Sequence, residues 1–257
     1  MNIIDAVILG IVGGITEFLP ISSTAHIILV QNFLGIPAAS FVTTFAIIIQ
    51  LGAMMSVIGL VVKAFLEDKK NIIGTIVAMI PTIFVGILVY PLVKHIFLSH
   101  AGISIVAMGV GGVFLIVFER LWKNKETNTE DKITKKQAFI VGCFQVLSFI
   151  PGVSRSAATI VGGMVSGLSR YSATLFSFVI ALPTMLAASV YDLSQSSFGF
   201  SSQEWGILTV GFLVSWVIAH VVVRWFLRFV QTTTLEIFGW YRVVFAIVAF
   251  VGIIVFL

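Results

Sequence analysis

The chain has 257 residues, 59% of them hydrophobic and 10% charged, with a mean hydropathy of +1.12. A soluble domain carries about 25% charged residues, so an ordinary water-soluble fold is excluded, and the continuous apolar runs lack the alternation of β-barrel strands. The net charge of +4 lies in loops, as the positive-inside rule expects, and does not mark a nucleic-acid surface.

The elements are predicted in chain order. The start, "MNIID", has no basic n-region, so no cleavable signal peptide is expected. Residues 3–18 and 22–35 are apolar and helical in tendency, with Pro20 between them. At 1.5 Å per residue each reaches only about 20–24 Å, short of the roughly 30 Å of a hydrocarbon core. Full spans follow at about 40–65, 72–93 and 102–121. A basic cytoplasmic loop, 123–135, comes next. Residues 137–149 and 155–168 repeat the short pair around Pro151, and spans at 171–193, 205–229 and 236–256 complete the chain.

Two short helices with a polar break read as a re-entrant hairpin, because broken backbone at membrane depth is tolerated where protein or a wet cavity surrounds it. The fold class is therefore all-α and polytopic. Six full transmembrane helices and two re-entrant helical hairpins form one integral membrane domain over 1–257. Basic loops support this count. Lys63, Lys69 and Lys70 mark one; Arg120, Lys123, Lys125, Lys132, Lys135 and Lys136 another; Arg224, Arg228 and Arg242 flank a third. Lys94 is alone in an intervening loop. Charge alternation then requires each hairpin to return to the side it left, with both termini outside. Trp205 and Trp240 fall at span ends, as interface anchors do. Cys143, the single cysteine, is expected to be a small buried residue.

The halves, about 1–122 and 136–257, repeat each other. "EFLPISS" (17–23) aligns with "SFIPGVSRS" (148–156), and "FAIIIQLGAM" (45–54) with "FSFVIALPTM" (176–185). The offset is shared: 151 − 20 = 131 and 176 − 45 = 131. Hairpins entering from opposite faces make the repeat inverted, and such folds place their sites where broken helices meet.

The unusual residues concentrate at the two breaks. Glu17 and Arg155 are ionisable groups in apolar stretches, which normally face a partner or a cavity. Around them stand His26 and the hydroxyls of Ser22, Ser23, Thr24, Ser154, Ser156 and Thr159. This inventory suits phosphate. Arginine presents a planar fork of donors, helix N-termini after Pro20 and Pro151 present free N–H groups, and Gly152 permits close backbone approach. A serine or threonine can attack phosphorus with His26 as base or proton donor. Glu17 can hold a divalent cation or orient His26. Glu17 with Arg155 also reads as a structural ion pair, and hydroxyls in membrane helices also serve as interhelical links. Gln50 reads as packing behind the first hairpin, with service in the site as the alternative. His95, His100 and His220 read as loop or interface residues, and Asp5, Glu67, Asp68 and Asp192 as solvated span-end acids.

"GITEFLPISSTAH" and "PGVSRSAATIVGG" resemble the two signature motifs of the undecaprenyl-diphosphatase (bacitracin-resistance protein) family, and the similarity runs over essentially the whole chain. The resemblance implies an integral membrane enzyme of the bacterial cytoplasmic membrane, with its site open to the outer face. It would remove one phosphate from undecaprenyl diphosphate, with a divalent cation, Mg or Ca. Its partners would be the lipid substrate and the bilayer; a homodimer is left open. The resemblance places the functional acid and metal ligand at Glu17, the motif serine at Ser23, the histidine at His26 and the phosphate cluster at Ser154, Arg155, Ser156 and Thr159. Whether Ser23 or His26 attacks is left open. One departure stands out: Gly13 occupies the place, one turn before Glu17, where the family usually has a second Glu or a Gln. Ala25 stands where many members have Gly, a mild change because both are small. The alternative reading is a transporter or flippase of the lipid carrier, or of a small anion, that hydrolyses nothing.

Overall fold

The computed structural model describes residues 1–37, 39–97, 101–122, 133–194 and 199–256. Among these, every regular element is a helix. Helix α1 (Ile3–Thr16) opens on a capping box: Asn2 accepts from the Asp5 N–H, and the Asp5 carboxylate accepts from the Asn2 N–H. Two first-turn donors are thereby satisfied. The chain turns over residues 17–21, and α2 (Ser23–Phe33) follows. Helices α3 (Ser40–Met55), α4 (Ile58–Glu67), α5 (Lys69–Phe97) and α6 (Ala101–Trp122) complete the first half. The second half runs α7 (Lys135–Val146), a 3₁₀ turn at Leu147–Phe149, α8 (Arg155–Val165), α9 (Arg170–Ser194), α10 (Ser202–Thr232) and α11 (Glu236–Phe256). Helices α7 and α10 also begin on capping boxes, Thr134 with Gln137 and Ser201 with Glu204.

Among the described residues, four segments are long and apolar enough to cross a membrane: Asn71–Val89, Gly102–Trp122, Arg170–Tyr191 and Ser202–Thr232. Helices α3 and α4 make a fifth if counted together. The chain is thus a multi-pass helical membrane protein. The expected span 40–65 is not one helix, since α3 and α4 bend by 47°. The N–H groups of Ser56 and Val57 donate to Ala53 and Met54 at i−3, so the last turn of α3 tightens to 3₁₀ and the helix breaks.

Packing crosses between the halves. Helix α1 lies on α10, and α7 lies on α5; α6 pairs with α11, and α3 touches both α9 and α10. Small residues permit the close crossings. A Cβ added at Gly14 would lie 2.7 Å from the Ser215 carbonyl, and one at Gly142 would run into the Ala78 carbonyl. Phe18 from the first break meets Phe178 of α9 edge-on at 4.8 Å, within a core that continues through Ile160, Val223 and Phe226. On another corner the buried Glu119 carboxylate accepts from Arg170 Nε and Nη2 at 3.0 and 2.6 Å, and from the Leu235 N–H at 3.0 Å. That carboxylate ties α6, α9 and the α10–α11 turn together.

Apolar side chains such as Phe84, Val110, Trp216 and Val248 cover the outer surface, as lipid-facing helices require. Trp205 and Trp240 are half-exposed at the starts of α10 and α11. Two expectations are corrected. Cys143 is exposed on α7, because the buried face of that helix runs through Ala138, Val141, Gly142 and Gln145. Arg242 is 1% exposed and lies inside α11, so it is no loop charge. The side chains of Lys69, Lys70, Lys94, His95, His100, Lys123, Lys125, Lys132 and Asp192 fall outside the described residues.

Candidate active site

Both breaks are built on unusual backbone. Ser22, the residue before α2, has φ 70° and ψ 89°. A non-glycine residue on that side of the map is uncommon and persists only where its surroundings hold it. Gly152 in the second break has φ 91°. A Cβ there would run into the backbone of Ser104 in α6, so only glycine fits. The glycine serves a contact with α6, where the sequence suggested close approach of a phosphate. Ser154 caps α8, accepting from the Ala157 N–H at 3.3 Å.

The turn after α1 and the start of α8 bring Glu17, Ser23 and Arg155 together. Arg155 Nη2 donates to Glu17 Oε1 at 3.0 Å, and Ser23 Oγ donates to Glu17 Oε2 at 2.7 Å. The ion pair is nearly enclosed, with 10% of the arginine side chain and 4% of the glutamate side chain exposed. Arg155 Nη1 is buried without a hydrogen-bond partner. Buried donors are rarely left so. Arg155 is also the first residue of α8, where a cation opposes the positive end of the helix dipole. Both features favour an anion at this place.

His26 is held from three sides. Its Nδ1 lies 2.8 Å from the Ser22 carbonyl and its Nε2 lies 2.8 Å from the Tyr241 hydroxyl. A carbonyl only accepts, so Nδ1 carries the proton; in the neutral ring Nε2 then accepts from Tyr241. Phe245 stacks on the imidazole with centroids 4.2 Å apart. Sequence reasoning missed Tyr241 and Phe245, which reach the site from a helix more than two hundred residues away in the chain.

Arg242 joins the two breaks. Its Nη1 donates to the Pro20 carbonyl at 3.2 Å, its Nη2 to the Gly152 carbonyl at 2.9 Å, and its Nε to Met108 of α6 at 3.1 Å. Arg242 thus serves backbone carbonyls, while Arg155 is the guanidinium paired with Glu17. The signal for Arg242 was present: an ionisable residue six positions into an apolar helix follows the same rule as Glu17.

Several expected substrate ligands have other partners. Ser156 donates to the Leu19 carbonyl at 2.8 Å, and Ser154, whose Oγ lies 3.4 Å from the same carbonyl, can instead donate to Ser156 at 2.9 Å. They staple the second break to the first. Thr159 is fully buried and bonds Ser177 of α9 at 2.6 Å and the Arg155 carbonyl at 2.8 Å, on the core side of α8. Ser22 contributes its carbonyl to His26, and Thr24 is half-buried on α2. A Cβ at Gly13 would lie 3.2 Å from the Ile49 Cδ1 and 3.6 Å from the Ser215 Oγ, so α1 packs closely where a second acid was expected.

No group of three or more His, Cys, Asp or Glu suited to a metal occurs among the described residues. The donors at the breaks are oxygens, one of them a carboxylate. That set suits a hard cation shared with a phosphate ligand, since Mg²⁺ is commonly held by one or two carboxylates plus phosphate oxygens.

The family described as bacitracin resistance protein BacA matches residues 6–248. A protein of Aquifex aeolicus named undecaprenyl-diphosphatase is 44% identical over 246 residues, covering 95% of this chain and 96% of that protein. Proteins of the same name from Sulfurihydrogenibium sp. and Wolinella succinogenes are 41% and 42% identical, each over 96% of this chain and 98% and 97% of their own lengths.

Proposed function

The chain belongs to the bacitracin resistance protein BacA family, and from that premise we propose that Glu17, Ser23, His26 and Arg155 carry its reaction. The reaction is the hydrolysis of undecaprenyl diphosphate to undecaprenyl phosphate and inorganic phosphate, which recycles the lipid carrier for cell-wall synthesis. Relatives sharing the name undecaprenyl-diphosphatase cover almost the whole chain, which disfavours transport without hydrolysis.

The buried, unpartnered Nη1 of Arg155 carries the site assignment. The diphosphate binds at the start of α8, takes up that donor and competes with Glu17 for the rest of the guanidinium. Ser23 is the nucleophile. Its hydroxyl already donates to Glu17 at 2.7 Å, whereas the Nε2 of His26 is engaged by Tyr241. Oγ attacks the terminal phosphorus, its proton passes to Glu17, and the bridging P–O bond breaks to release undecaprenyl phosphate. Water then attacks the phosphoserine, giving one proton to His26; the P–Oγ bond breaks, Ser23 Oγ recovers its proton from Glu17, and inorganic phosphate leaves. Glu17 would hold a divalent cation, which would neutralise phosphate charge.

The finer architecture follows the same reading: six spans, with α11 the sixth, and two re-entrant pairs, α1–α2 and α7–α8, in an inverted repeat. Two observations support it. At 14 and 12 residues, α1 and α7 fall short of a bilayer, and each packs on the second long helix of the opposite half. The site opens to the outer face of the bacterial cytoplasmic membrane. Purified protein given undecaprenyl diphosphate should release inorganic phosphate, and Ser23→Ala should abolish that release. A wild-type rate in Ser23→Ala would remove Ser23 as nucleophile.

A further inference from the structure

The imidazole of His26 is 5% exposed, and the basic nitrogen it presents is covered by one group, the hydroxyl of Tyr241 at 2.8 Å. The other nitrogen is held by the Ser22 carbonyl, and Phe245 closes one face of the ring. Tyr241 is 42% exposed. Its ring therefore reaches a surface that the imidazole does not. We infer that Tyr241 relays the proton between His26 and the reacting water, a role resting on the function proposed above.

A phenol can do this because its oxygen both donates and accepts. As the water oxygen bonds phosphorus, the P–Oγ bond of the phosphoserine breaks and Ser23 Oγ takes the proton held by Glu17, while one water O–H bond breaks and its proton joins the tyrosine oxygen. In the same event the tyrosine O–H proton passes to His26 Nε2. The tyrosine ends neutral, the imidazole ends protonated, and charge is conserved. The hydroxyl then accepts from the new Nε2–H, so the buried cation keeps a partner. Arg242, the next residue in α11, cannot compete for the role, because all three of its nitrogens donate to backbone carbonyls.

Tyr241→Phe keeps the ring that stacks beside Phe245 and removes only the hydroxyl. Phosphate release from undecaprenyl diphosphate by this variant should show kcat lowered at least tenfold with KM within twofold of wild type. His26→Ala should also lower kcat, and the double variant His26→Ala/Tyr241→Phe should match His26→Ala alone. A wild-type kcat in Tyr241→Phe overturns the relay, as does an equal further loss in the His26→Ala background or a change confined to KM. A wild-type rate in His26→Ala overturns it too. Failure of the underlying reading looks different: the wild-type protein would then release no phosphate, or Ser23→Ala would release it normally.

Discussion

At the scale of single residues, the site is organised by which hydroxyl meets which acceptor. Ser23 meets the Glu17 carboxylate, and Thr159 meets Ser177 and its own helix. Thr159→Val should therefore lower stability by about 1 kcal/mol and leave KM for the diphosphate unchanged, which thermal unfolding and steady-state phosphate release would check. A rise in KM would return Thr159 to the substrate. Glu17→Gln keeps an acceptor for Ser23 but removes the charge that pairs with Arg155 and takes the proton. Phosphate release should fall about 100-fold or more, measured at saturating lipid. Glu17 and Arg155 were legible in the sequence because a charge in an apolar run demands an explanation. Ser154, Ser156 and Thr159 were expected as phosphate ligands; a list of hydroxyls carries no direction, and in this structure helix α8 turns them toward Leu19 and Ser177.

At the scale of elements, the two breaks are held in register by one side chain from α11. Arg242 serves three carbonyls, from the first break, the second break and α6. Arg242→Met leaves all three buried acceptors short of a donor, and should cost roughly 3 kcal/mol or more. Unfolding in detergent should show a lower Tm, with activity lost in proportion to the folded fraction or beyond it. An unchanged Tm would mean that the breaks hold their arrangement without it. Helix existence was well marked by the apolar runs and by Pro20 and Pro151; the four short helices begin and end within about three residues of the expected bounds. The bend between α3 and α4 was not marked, since no proline or glycine stands at Ser56 or Val57. Arg242 was read only as a charge flanking the loop before the last span, although the expected start of that span, 236, is where α11 begins, six residues before it.

At the scale of the whole molecule, the halves exchange their contacts, α1 with α10 and α7 with α5, so the first helix of each short pair packs on the opposite half. The charges from residues 138 positions apart then meet in one pair. The repeated offset of 131 suggested an inverted repeat with its breaks facing each other; which helices would touch was not legible, because apolar helices of equal composition present no partner code. In the proposed reaction Arg155 is the group that receives the diphosphate. The direct measurement is inorganic phosphate released from undecaprenyl diphosphate by purified wild type and Arg155→Ala, both shown to be folded by their unfolding transitions. The expected result is a loss of about 100-fold or more in the variant; an equal rate in the two proteins would contradict it.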